Sequence, residues 1–276
     1  KQLGADINGE VSYDYSGRFT TMSADGRTVA IGASFNDGNG SDSGSVRVYQ
    51  FNGTSWAQLG ADINGEAAGD ESGSVAMSAD GTILAIGAYK NDGGSGHVRI
   101  YKYNGTSWVQ LGSDINGSSS NAYSGFSVSL SDDGQTVAIG TPTAGKVSIY
   151  TYNGTVWSQL GADINGEATG DVSGYSVSLS ADGRTVAIGS PENDGNNGSD
   201  SGSVRVYQFN GTSWEQLGAD IDGEAAYDLS GSSVSLSSDG TIVAIGSYGN
   251  DANGSWSGSV RVYQYQFNGT SSSLAW

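Results

Sequence analysis

A chain of 276 residues is long enough to build one large β-rich core, and its 45 glycines against 2 prolines punctuate regular apolar runs. With 29 acidic residues against 11 basic and a net charge of −18, it lacks the Lys and Arg clusters that phosphate backbones and anionic membranes require, so a nucleic-acid partner is excluded. No apolar stretch approaches the roughly 20 residues of a membrane span, and the absence of cysteine removes disulfides and thiolate metal sites. No signal peptide opens the chain, as expected of a mature protein or an excised domain.

Gln-Leu-Gly recurs at Gln2, Gln58, Gln110, Gln159 and Gln216, 49 to 57 residues apart, so residues 1–276 read as a single domain of five copies of one unit. The period is too long for hexapeptide coils of a β-helix. After each Gln-Leu-Gly comes an acidic stretch: Asp6, Asn8, Glu10 and Asp14; Asp62, Asn64, Glu66 and Asp70; Asp163, Asn165, Glu167 and Asp171; Asp220, Asp222, Glu224 and Asp228. The third unit keeps Asp114 and Asn116 but has Ser118 and Ala122. The glutamates are expected to cap backbone N–H groups in the crossover between units.

A first strand follows, as at Ser176 to Ser180, then a tight turn at Ala24-Asp25-Gly26 and its equivalents. The second strand, as at Thr185 to Gly189, is apolar or small at every position and is expected to be buried on both faces. Next is a loop that varies between units. Phe35, Asp37, Asn39 and Ser41 stand in the first, Tyr89 and Lys90 in the second with the lone His97 after them. The third loop is short, Thr141 to Lys146. The fourth carries Asp194 and Asn196, and the fifth Tyr248, Asp251, Asn253 and Trp256. A third strand, Ser-Val-Arg-Val-Tyr-Gln-Phe, alternates with period two. Asn-Gly then predicts a two-residue hairpin turn into a fourth strand that begins at Trp56, Trp108, Trp157 or Trp214.

Four antiparallel strands repeated radially describe a blade, so the expected fold is an all-β, five-bladed β-propeller. Placing Leu274-Ala275-Trp276 before Lys1-Gln2-Leu3-Gly4 regenerates the fourth-strand pattern, so the ring is expected to close by pairing of the terminal segments. One tryptophan per blade reads as inter-blade packing, not as a ring of sugar platforms.

The run from Ser173 to Pro191, Ser-Gly-Tyr-Ser-Val-Ser-Leu-Ser-Ala-Asp-Gly-Arg-Thr-Val-Ala-Ile-Gly-Ser-Pro, resembles the FG-GAP repeat of integrin-α-like propellers. The likeness extends over all five units and implies an extracellular or cell-surface recognition or adhesion role. The long calcium loop that such blades often carry between their first two strands is replaced here by Ala-Asp-Gly-type turns. One or two carboxylates in so tight a turn cannot supply the six to eight oxygens of a calcium site.

Function is expected on the variable loops. Trp256, Tyr89, Phe35 and Tyr248 are the candidate platform for a carbohydrate or protein ligand. Asp37, Asn39, Ser41, Asp194, Asn196, Asp251 and Asn253 are the candidate oxygen ligands for Ca2+, the competing reading being a solvated loop closed by Asx turns. His97 reads as a surface residue. The acids repeat without one being singled out, and no nucleophile-histidine set can form, so the chain is read as a binding module and not an enzyme. A glycan-active enzyme using the acidic face and a structural spacer of a larger adhesin are the alternatives. The domain is expected to be monomeric and not to insert into membranes.

Overall fold

The computed structural model describes residues 1–265. It falls into two compact units, one of residues 1–135 with 152–157, the other of 136–151 with 158–276.

In the first unit, Phe19–Met22, Thr28–Ala33, Ser45–Phe51 and Trp56–Gln58 form an antiparallel sheet in chain order. Ser72–Met77, Ile83–Ala88, His97–Tyr103 and Trp108–Gln110 repeat it. In the second unit, Thr136–Thr141 pairs with Lys146–Tyr152, and Ser176–Leu179, Thr185–Ser190, Ser203–Phe209 and Trp214–Gln216 form a complete sheet. Ser230–Leu236, Ile242–Ser247 and Ser259–Gln264 are the described strands of the last sheet. Among the described residues no helix is long and apolar enough to cross a membrane.

Each complete repeat contains one strand more than the pattern predicts. The Ile-Asn pair of the acidic stretch, as in Ile63–Asn64 and Ile221–Asp222, adds to the far end of the third strand, with Val46 opposite Ile63 and Val204 opposite Ile221. The outer edge is therefore built in two pieces. Between them the chain swings out and back through Leu-Gly-x-Asp, held by Gln58 Nε2 donating to Asp62 Oδ1 at 2.6 Å. Two residues are too few for a period to register, which is why the pattern hides this strand.

The Asn-Gly turn also differs from expectation. Phe51 pairs with Trp56, which leaves Asn52 to Ser55 as a longer loop, and the Asn52 side-chain oxygen accepts from the N–H groups of Thr54 and Ser55 at 3.0 and 2.9 Å. The asparagine is selected as an Asx-turn acceptor, with only Gly53 adopting a positive φ.

Alternation on the third strand buries its valines against the next repeat. Val46 and Val48 pack with Met77, Leu84 and Ile86, and Val204 and Val206 pack with Val243 and Ile245. Each such side chain contributes about 1.5–3 kcal/mol. Glycine sets how close the sheets come: a Cβ at Gly87 would lie 2.0 Å from the Gly125 carbonyl oxygen, and one at Gly189 2.0 Å from that of Gly231. The repeat tryptophans are packing residues, as expected. Each packs at a tilt against the aromatic residue before its turn and donates Nε1 to a leucine carbonyl one repeat back, Trp108 to Leu59 and Trp214 to Leu160, both at 2.8 Å.

At the start of the chain Trp56 donates in the same way to Leu3 at 2.8 Å, so residues near Leu3 occupy the place of a preceding fourth strand. The expected pairing of Leu274, Ala275 and Trp276 with this segment lies outside the described residues. In the last sheet Val260 and Val262 are 70% and 65% exposed, and in the first sheet Met22 is exposed.

Candidate functional site

The fifth variable loop is shaped by its own polar groups. Asp251 Oδ1 accepts the Trp256 N–H at 2.6 Å, Gly254 turns the chain at positive φ, and Trp256 itself sits at φ +55°. This closure lifts the indole into solvent, stacked on Tyr248 with ring centroids 5.8 Å apart and 29° between planes. Tyr248 and Tyr175 flank a cleft of about 660 Å³ floored by serines and glycines, including Ser233, Ser247 and Ser259. The hydroxyls of Ser247 and Ser259 are buried without a hydrogen-bond partner. Burial, and the neighbouring Tyr175, push the Tyr248 hydroxyl above its ordinary range, so it stays protonated and able to donate at neutral pH.

Of the other candidate platform residues, Tyr89 is a correction. It is buried between Tyr123 and Phe126, and its hydroxyl donates to Glu71, which also holds Lys90 at 2.6 Å. A ring covered on both edges by aromatic neighbours offers no face to a ligand. Phe35 is partly buried against Tyr15 at 5.2 Å and belongs to the first unit.

The loop acids expected to gather a cation are engaged in closing their own loops. Asp37 accepts the Asp42 N–H at 2.9 Å and Asp194 the Asp200 N–H at 3.0 Å. Asn39 donates to the carbonyls of Gly65 and Glu66 at 3.0 and 2.8 Å, and the Asn253 N–H donates to Ser257. Ser41 is exposed. Asp194 and Asn196 do come together with Glu167, Asp171, Asp220 and Asp222 around an acidic cleft of about 600 Å³ in the fourth repeat. There Glu167 is pushed up by burial and by its hydrogen-bonded neighbour Asp220.

The capping role expected of Glu10 and its equivalents falls instead to the last aspartate of the stretch. Asp14, Asp70, Asp171 and Asp228 are buried, accept N–H groups such as those of Ala67 and Ala168 at 2.9 Å, and receive the amides of Asn36, Asn91, Asn193 and Asn250. The glutamates face a buried arginine of the third strand, Arg47 to Glu10 at 3.8 Å and Arg99 to Glu66 at 3.5 Å. These guanidinium groups also donate to the carbonyls of Asn8 and Asn64 and lie over Tyr49 and Tyr101. Alternation placed Arg47 and Arg99 on a strand but could not show that their fork meets a carbonyl and a carboxylate from the linker before it.

Two positions before that arginine the repeats diverge. Ser45, Ser203 and Ser259 stand at the start of the strand in the first, fourth and fifth units, His97 in the second and Lys146 in the third. Lys146 pairs with Asp163 at 2.7 Å. His97 is 1% exposed, which corrects its reading as a surface residue: the strand's inward face carries it beneath the acidic stretch.

Residues 19–180 match the Rax2 C-terminal beta propeller domain, and residues 165–207 match the FG-GAP repeat. The chain belongs to the Rax2 C-terminal propeller family. The FG-GAP resemblance read from Ser173 to Pro191 lies inside the second match. No curated protein matches the chain in sequence. Solved structures similar to this Rax2-type propeller chain include a functionally unknown protein from Desulfotomaculum acetoxidans DSM 771, with a TM-score of 0.62, 14% identity, and 96% of this chain and 69% of that one covered. The periplasmic gluconolactonase PpgL of Pseudomonas aeruginosa gives 0.61 at 19% identity over 94% and 70% of the two chains. TolB of Acinetobacter baumannii gives 0.53 at 14% identity, over 89% of this chain and 51% of TolB. At these identities the likeness concerns the fold alone.

Proposed function

We propose that the chain is a non-catalytic, secreted or cell-surface binding module that recognises a glycan at the cleft beside Trp256 and Tyr248. The observation that carries this reading is the exposed, stacked Trp256–Tyr248 pair next to the cleft. Flat apolar ring faces suit the C–H faces of sugars. A glycan array probed with the wild type and Trp256→Ala tests it: one glycan class bound by the first and lost by the second is expected. No glycan bound under any condition would leave a protein ligand.

The catalytic alternative has one observation in its favour, the raised Glu167 beside Asp220 in the acidic cleft. Acid–base chemistry on a glycan uses a pair of neighbouring carboxyl groups, one of them raised by its surroundings. Polysaccharide turnover by the wild type, abolished in Glu167→Gln, would establish it.

The architecture that serves this function is proposed to be a five-bladed propeller whose ring closes by pairing of the N- and C-terminal segments. Support comes from Leu3, which accepts the Trp56 bond in the place of a preceding fourth strand. A solution scattering profile with the radius of gyration of a closed ring is expected. A wider profile would mean that the ring is open.

A further inference from the structure

Among the described residues, one group of three metal-ligating side chains converges, within the first unit. Glu66, His97 and Asp114 place a ligand atom each within 4.8 Å of one another. We propose that they bind one divalent cation of borderline hardness, such as Zn2+. An imidazole with two carboxylates matches the mixed nitrogen and oxygen preference of such ions.

The imidazole supplies the second, independent observation. His97 is almost wholly buried, and its Nε2 has no hydrogen-bond partner. Its Nδ1 lies 3.8 Å from Glu66 Oε2, too far for a hydrogen bond. If the ring proton is on Nε2, the Nδ1 lone pair faces a carboxylate oxygen and repels it. If it is on Nδ1, the ring makes no good bond through either nitrogen. A cation between Nδ1 and the carboxylate takes up that lone pair and replaces the repulsion by two attractions.

The neighbouring groups fit the same reading. Arg99 holds Glu66 through Oε1 at 3.5 Å and leaves Oε2 on the histidine side. Gln110 donates to Asp114 Oδ1 at 2.5 Å, an orienting bond that leaves the second oxygen open. Tetrahedral ligands at Zn–N and Zn–O lengths of about 2.1 Å stand about 3.4 Å apart, so the group contracts by at most about 1.4 Å. The half-exposed Glu66 side chain can supply that movement, and it also marks the way in from solvent.

The third repeat shows what the same place does without a histidine. Lys146 stands where His97 does, and Asp163 where Asp114 does, and the two form an ion pair at 2.7 Å. One repeat thus carries a tethered cation where its neighbour carries a ligand for a free one. The remaining repeats carry serine there and lack the nitrogen donor.

The test is calorimetric titration of the whole chain with Zn2+, beside thermal melts with and without the metal. The wild type is expected to bind one equivalent with affinity at least tenfold above that of His97→Ser and Asp114→Asn, and to melt higher with zinc. His97→Ser installs the residue of the first, fourth and fifth units, and far-UV circular dichroism confirms its fold. His97→Lys installs the residue of the third unit and is expected to abolish binding while melting, metal-free, no lower than the wild type. Equal zinc affinity in the wild type and His97→Ser, or no zinc binding by the wild type, would overturn the site.

Discussion

The fourth and fifth sheets begin their third strands with the same five residues, Ser-Val-Arg-Val-Tyr, and bury them differently. Val204 and Val206 are 0% and 1% exposed, whereas Val260 and Val262 are 70% and 65% exposed. Strand and register against the second strand are the same in both, and Trp214–Gln216 and Ile221–Asp222 also flank the first. The difference is the sheet that follows: Val243 and Ile245 cover the first pair, and no described residue covers the second. Alternation in a strand decides which side chains share a face. Whether that face is dry depends on a neighbour that the strand's own residues do not encode.

Charge at the two faces breaks this comparison most sharply. Val206→Asp would bury a carboxylate with no partner and is expected to lower stability by about 4 kcal/mol or more. Val262→Asp is expected to change stability by no more than about 0.5 kcal/mol as long as its face stays open. Chemical denaturation of the two variants measures both. A loss at position 262 as large as that at 206 would show this face covered in solution.

Glycine gives the next largest contrast. A Cβ at Gly189 meets backbone, the Gly231 carbonyl oxygen at 2.0 Å, whereas at Gly246 the near atom is the Ser233 hydroxyl at 2.3 Å, which can rotate away. Gly189→Ala is expected to cost about 3 kcal/mol and Gly246→Ala about 1 kcal/mol or less, read from melting midpoints.

Tryptophan separates packing from binding. Trp214→Phe loses the Nε1 bond to Leu160 and is expected to cost about 1–2 kcal/mol in a denaturation curve, ring packing being retained. Trp256→Ala, with its indole in solvent, is expected to leave the melting point within a degree or two while removing ligand binding.

The smallest effect is that of pH at the tight turns. Hydrogen bonds from Ser237 and the Thr241 N–H hold Asp239 below the usual carboxylate range, and Ser23 and the Arg27 N–H do the same for Asp25. A depressed folded-state pKa stabilises above the unfolded value of 3.8, and that contribution fades as pH falls below it toward the folded value. Asp239→Asn is expected to lower stability slightly at neutrality, where the wild-type contribution is fully present, and to flatten the profile as pH falls below about 4.

Repetition made most of this fold legible. Five Gln-Leu-Gly anchors, the Ala-Asp-Gly turns and the period-two third strand located the long strands of every repeat, and the tryptophans were read correctly as packing residues. These signals are local, arising from backbone geometry and from side chains that alternate within a few residues. The two-residue Ile-Asn strand was too short to carry a period, and the Asn-Gly loop was longer than its dipeptide suggested.

The sites were less legible, for a physical reason. Trp256 and Tyr248 could be named because they break the repeat, yet Tyr89 breaks it too and is buried against Tyr123 and Phe126. The sequence by itself determined the repeating β unit, its turns and the acidic character of its linkers, since propensity and alternation act between near neighbours along the chain. Only the tertiary structure decided which aspartate caps backbone N–H groups, that His97 is buried beside Glu66 and Asp114, and which valines stay wet. Those outcomes depend on contacts between residues a whole repeat apart, and burial and charge act through space irrespective of order along the chain.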